Sequence, residues 1–171
     1  RQMCIRDRFY ILAFPFWAVG YLLATRRGKD MFYRFVATDL TIHFICFICF
    51  ILIPTTNIRP EIAGNTLSEK ILALVYSLDG GNSPSNLFPS IHCYVSWMCW
   101  KGVEGSEKVP KWYQRFSLVF AILIIISTQV LKQHYIVDAA AALLLVEFFW
   151  RFYQKGQRHK WVVHVFAHKK K

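Results

Sequence analysis

The sequence predicts an all-α fold, a polytopic transmembrane helix bundle with five helices in view. Three features predict it. Apolar residues make up 55% of the 171 positions and aromatics 17%, both high for a water-soluble domain. Five apolar runs approach the length of a bilayer crossing, which needs about 20 residues. The basic residues behind the formal charge of +11 fall in short clusters between those runs. That distribution argues against a nucleic-acid partner, as does the lack of any finger spacing, basic heptad helix or aromatic RNA-binding pattern.

The first run, 9–24, reads "FYILAFPFWAVGYLLA" and follows "RQMCIRDR", which lacks the cleavage pattern of a signal peptide. Residues 1–8 are expected to be a non-native lead with no function. The second run, 35–54, carries Asp39 and His43 four residues apart, expected to hydrogen-bond between helices rather than to catalyse. The third, 89–103, holds Ser90, His92 and Ser96, which suit only a helix packed inside a bundle with its polar end on a cavity. The fourth and fifth, 113–131 and 134–153, are of full crossing length. Between the second and third runs, Leu67, Ile71, Leu74, Val75 and Leu78 share one helical face, expected as a short amphipathic helix capping the bundle.

Lysine and arginine placement sets the expected orientation. Arg26, Arg27, Lys29 and Arg34 lie in one connection and Lys101, Lys108, Lys111 and Arg115 in another. The tail, 154–171, ends "HKKK". These are expected to be cytoplasmic, with the tail against anionic inner-leaflet lipids. The weakly charged loops then face outward. Five cysteines give no disulfide framework, and Cys46 and Cys49 read as packing residues.

Three polar clusters converge on the outer end: Arg59-Pro60, Pro89 to His92 ("PSIH"), and Ser127 to Asp138 ("STQVLKQHYIVD"). Pro89-Ser90 is a helix-start signal, and a helix N-terminus suits an anion such as phosphate. Taken alone, Ser90 is more often a plain cap. His134 and Asp138, four apart, would share a helix face; a carboxylate there can orient one imidazole nitrogen and leave the other free as nucleophile or base. Taken alone, that pair is equally a structural hydrogen bond. Arg59 could clamp a phosphoryl group or be an interfacial arginine.

In order and spacing these clusters resemble the type-2 phosphatidic acid phosphatase superfamily, whose pattern is K-x6-R-P, then P-S-G-H, then S-R-x5-H-x3-D. The likeness covers residues 9–153. It implies a six-helix membrane domain, here without its first helix, and a metal-free, cofactor-free phosphatase acting on a membrane lipid phosphate or diphosphate. In that scheme His134 attacks phosphorus, Asp138 orients it, and His92 protonates the leaving group. Arg59, Ser90 and Ser127 would serve the phosphate. Three positions depart from the pattern: Leu52 for lysine, Ile91 for glycine and Thr128 for arginine. Lys132 is the candidate to replace a missing cation, or else a solvated lysine. The departures also resemble the sphingomyelin and inositol-phosphorylceramide synthase branch, so transfer of a phosphorylated head group to a lipid alcohol stays open. A non-catalytic binding or transport protein stays open as well.

Overall fold

The computed structural model describes residues 3–55, 66, 69–70, 73, 77, 87–130 and 134–167, with side chains for residues 12–166 of these. The described elements are helices: α1 Met3–Ala24, α2 Lys29–Leu52, α3 Ile91–Val103, α4 Lys111–Val130, α5 Ile136–Gln154 and α6 Lys160–Ala167. Five of them answer the five apolar runs. The first begins earlier than expected, at Met3, so residues 3–8 continue a helix. The second starts at Lys29 because its polar first turn is internally satisfied, Arg34 Nε donating to Asp30 Oδ2 at 2.7 Å. The short helix α6 was expected only as a basic tail; Val162 on it is buried against Ala37 and Tyr153.

Among the described residues two helices, α2 and α4, are long and apolar enough to cross a hydrocarbon core. Their outward faces leave Phe44 (64%), Phe47 (60%) and Leu52 (72%) exposed, with Val119 (55%) on α4. So much exposed apolar surface needs lipid or a partner against it. Of the helix expected in the connection before α3, Glu69, Lys70, Ala73 and Ser77 are helical. Thr66 caps it reciprocally: Glu69 N–H donates to Thr66 Oγ1 and Thr66 N–H to Glu69 Oε2. Its apolar face, Leu67 to Leu78, lies outside the described residues.

The shortest of the five main helices, α3, sits at the centre. It packs against α1, α4 and α5 and more lightly against α2. Its buried side chains include Tyr94, Met98 and Val103. Two glycines allow the close approach. A Cβ on Gly20 of α1 would lie 2.6 Å from Cys99 Sγ, and one on Gly102 of α3 would lie 3.0 Å from Ala24 Cβ. Polar atoms fasten the same helices. The Tyr21 hydroxyl donates to Asp39 Oδ1 at 2.6 Å, and the Tyr94 hydroxyl hydrogen-bonds the His43 ring, 2.5 Å from Nδ1. Asp39 and His43 therefore join α1, α2 and α3, as expected of them.

At one end of the bundle two arginines close helix C-termini. Arg27 Nη1 donates to Lys101 O at 2.9 Å, and Arg34 Nη1 to Tyr153 O and Gln154 O at 3.0 and 2.6 Å. Such cations satisfy terminal carbonyls and oppose the helix dipole. Lys101, counted above with the basic connection, is instead buried and paired with Glu147 at 2.9 Å and Glu104 at 3.2 Å. Gly20→Ala should cost about 1–3 kcal/mol by overpacking the α1–α3 contact. Leu22→Ala, on the outward face (62% exposed), should cost little. Thermal unfolding in detergent measures both.

Candidate active site

The opposite end of the bundle brings together the starts of α3 and α5. Ser90 is the N-cap of α3; its hydroxyl accepts from Cys93 N at 3.3 Å, as the side chain of an N-cap should. The Ser90 N–H donates to Asp138 O at 3.3 Å, which sets the first turn of α3 beside the first turn of α5. Residues 87–88, leading into α3, are held by Thr55, three residues past the end of α2, whose Oγ1 accepts from Leu87 N (2.9 Å) and Phe88 N (3.2 Å).

His134 lies just before α5, not on it: Tyr135 is the N-cap and α5 begins at Ile136. The expected helical pairing of His134 and Asp138 is therefore corrected. Asp138 sits in the first turn and its Oδ2 accepts from Tyr135 N at 2.8 Å, so it caps its own helix. It remains 3.6 Å from His134 Nδ1, beyond a good hydrogen bond but close enough for charge to act in a buried place. The bond expected from that ring nitrogen goes to a backbone carbonyl, Leu87 O, at 3.1 Å.

That bond assigns the imidazole's roles. A carbonyl only accepts, so Nδ1 carries the proton and the Nε2 of the neutral ring presents its lone pair. Nε2 faces His92 Nδ1 at 3.4 Å, with ring centroids 5.5 Å apart. His134 is 8% exposed and Asp138 5%, whereas His92 is only partly covered. Thr128 O accepts from His134 N at 3.4 Å, tying the histidine to the end of α4.

Two walls of the site were not anticipated. Trp17 of α1 stacks obliquely on His92, with ring centroids 5.5 Å apart. Its Nε1 donates to Ser96 Oγ at 2.9 Å, and Ser96 Oγ donates to His92 O at 2.7 Å. Thr128 supplies the second wall: its Oγ1 donates to Ile125 O and lies 3.6 Å from Cys93 Sγ. Nothing in a residue pattern marks Leu87, because its contribution is a carbonyl. Trp17 is distant in sequence and looks like any other interfacial aromatic.

Of the sequence-predicted residues, Ser90, His92, His134 and Asp138 thus stand together. Ser127 is buried at the end of α4 and donates its hydroxyl to Ile124 O at 2.7 Å. Arg59 and Lys132 lie outside the described residues. Leu52, where the motif has lysine, is at the far end of α2 and 72% exposed.

These features define a membrane protein, helical throughout its described elements, with a histidine pair, one ring buried and one partly covered, at the junction of two helix N-termini. The chain belongs to the PAP2 superfamily, whose family model matches residues 6–151. The comparisons with curated proteins and with solved structures gave no match. Membership makes the chain a phosphatase-like or phosphotransferase-like enzyme of the membrane. Thr55→Val should leave the Leu87 and Phe88 N–H groups unsatisfied and cost about 1–3 kcal/mol. Nitrogen NMR of the imidazoles would show the His134 tautomer preference weaken in the same variant.

Proposed function

We propose that the chain is a multi-pass cell-membrane phosphatase that hydrolyses a lipid phosphate or diphosphate through a phosphohistidine on His134. The observation that carries this reading is the paired geometry of the two imidazoles. The Nδ1–H of His134 is held by Leu87 O and its Nε2 is aimed at His92, where two helix N-termini meet.

His134 Nε2 attacks phosphorus, and the positive charge that develops on the ring is stabilised by Asp138 at 3.6 Å. His92 donates its proton to the leaving oxygen, then accepts one from the water that cleaves the phosphohistidine. At 3.4 Å the two nitrogens are too close to flank a phosphorus atom, so the substrate must part them. His92, the less buried ring, is the one to move. Negative charge on the phosphoryl oxygens is met by the positive ends of α3 and α5, with Ser90 and Ser127 nearby and Arg59 and Lys132 as the cations. The site opens extracytoplasmically in this reading, because Arg26, Arg27, Lys111, Lys155 and Arg158 gather at the other end, the cytoplasmic one by the positive-inside bias.

A second reading, transfer of a phosphorylated head group to a lipid alcohol, is favoured by Ile91 and Thr128. Both stand where the motif has other residues, and Thr128 spends its hydroxyl inside its own helix. The two readings share the first half-reaction and differ in what resolves the phosphohistidine.

Phosphate release from a panel of lipid phosphates in detergent micelles tests this function. His134→Ala should abolish turnover, and His92→Ala should slow it about 100- to 10,000-fold. Acid-labile labelling of the wild type by a radioactive phosphate donor, absent from His134→Ala, should accompany it. A new lipid that forms only when an alcohol acceptor is supplied would select the transferase. Full turnover by His134→Ala would sink both readings.

A further inference from the structure

At the end of the bundle away from the histidines, the outward face of α5 carries a cleft of about 600 Å³. Its composition changes along the helix. Leu144 and Phe148, 71% and 62% exposed, form the inner part; Arg151, Lys155 and Arg158 form the outer part. Leu144, Phe148 and Arg151 are spaced three or four apart on α5 and so lie in one row, which Lys155, the C-cap, continues. From Leu144 to Lys155 the row spans about 16 Å at 1.5 Å per residue. That is close to half of a hydrocarbon core of about 30 Å. The cleft as a whole runs over about the depth of one leaflet, apolar at its inner part and cationic at its rim.

The charge there is unbalanced. The cleft's acidic residue, Glu147, already has its Oε1 engaged from inside by Lys101 at 2.9 Å and by Trp97 Nε1 at 2.9 Å. Arg151 is 3.6 Å from the other oxygen and largely exposed. Among the described residues neither Lys155 nor Arg158 has an ion pair. The Arg158 guanidinium lies 4.2 Å over the Phe152 ring, a stacking that holds its flat face in place while its N–H edge stays open to a ligand. The apolar part also continues past Leu144 and Phe148 into a second cleft, of about 390 Å³, along Ile45 and Cys49 of α2. An occupant can therefore lay hydrocarbon along two adjoining clefts while its charged end stays with the cations.

We propose that this cleft binds an anionic phospholipid, its phosphate held by Arg151, Lys155 and Arg158 and its acyl chain lying along Leu144 and Phe148. The site differs from the expectation of lipid contact through the terminal "HKKK", because it places recognition at the end of α5 and in the connection that follows it. It is independent of the chemistry at His134, since binding needs no turnover.

The test uses the full chain in a zwitterionic detergent, titrated with phosphatidylglycerol or with phosphatidylcholine of the same chains. Retention of lipid is followed by native mass spectrometry and its effect by thermal unfolding. Phosphatidylglycerol should be retained and raise the midpoint, and phosphatidylcholine should do neither. Lys155→Gln, a change at an exposed side chain that leaves packing alone, should weaken phosphatidylglycerol about fivefold, and the triple change of Arg151, Lys155 and Arg158 to Gln on the order of 100-fold. Leu144→Ser with Phe148→Ser should also weaken it, with helicity by circular dichroism unchanged. Lys169→Gln with Lys170→Gln and Lys171→Gln should leave it intact. Equal retention of phosphatidylcholine would overturn the proposal. So would full competition by glycerol 3-phosphate alone, or a loss of binding confined to the tail variant.

Discussion

The interaction on which the rest of the molecule depends is the backbone stitching of residues 87–90 to 134–138. Helix starts leave N–H groups without intrahelical acceptors, and a buried one left unpaired is costly. Here two such starts answer each other. Ser90 N–H is taken by Asp138 O, Tyr135 N–H by the Asp138 carboxylate, and the Leu87 and Phe88 N–H groups by Thr55. The imidazole of His134 belongs to this set through Leu87 O. Each bond contributes only about 1 kcal/mol net, but an unsatisfied partner would cost about 1–3. Breaking one link therefore penalises the arrangement more than its formation stabilised it. The tautomer of His134 is thus fixed by the fold before any ligand arrives.

A second constraint is the shortness of α3. A helix of 13 residues cannot span a hydrocarbon core of about 30 Å, so it must be enclosed by longer ones. Gly20 and Gly102 let α1 approach it, and polar side chains fix the result. Tyr21 with Asp39, and Tyr94 with His43, tie α1, α2 and α3 together where apolar packing alone would distinguish poorly between rotations. Trp17 extends that control to the site, because the ring that donates to Ser96 also lies against His92. Rotation of α1 would move a wall of the site, although α1 carries none of the motif residues.

The helices were legible in the sequence because a membrane imposes length and apolarity directly on composition. The ends of the helices were less so. Lys29 to Arg34 looked like a loop because its charges are polar in isolation, but Asp30 and Arg34 pair along the helix. Of the site, Ser90, His92, His134 and Asp138 were readable as a group from motif spacing, and the structure places them together. What the spacing did not carry was the bonding. It put His134 and Asp138 on one helix face, whereas Asp138 caps α5 and a carbonyl holds the ring. Backbone acceptors such as Leu87 O and Thr128 O leave no trace in residue type, and a ring packed from another helix, as Trp17 is, leaves none at the motif. Lys101 misled for the opposite reason: its charge was visible, but its burial against Glu147 was not.

The two ends of the bundle use one electrostatic frame in opposite ways. The N-termini of α3 and α5 point at the histidines, so both helix dipoles favour an anion there. Their C-termini, which would repel an anion, are covered by Arg27 and Arg34. With those carbonyls neutralised, Arg151, Lys155 and Arg158 can act as cations without opposition from the helix ends nearby. The difference lies in the kind of group presented. Imidazoles at the buried end can yield a lone pair and pass on a proton, which the proposed phosphoryl chemistry needs. Arginine and lysine at the exposed end keep their charge and can hold a phosphate but not attack it. The same fold therefore has one end suited to changing a phosphate ester and another suited to retaining one.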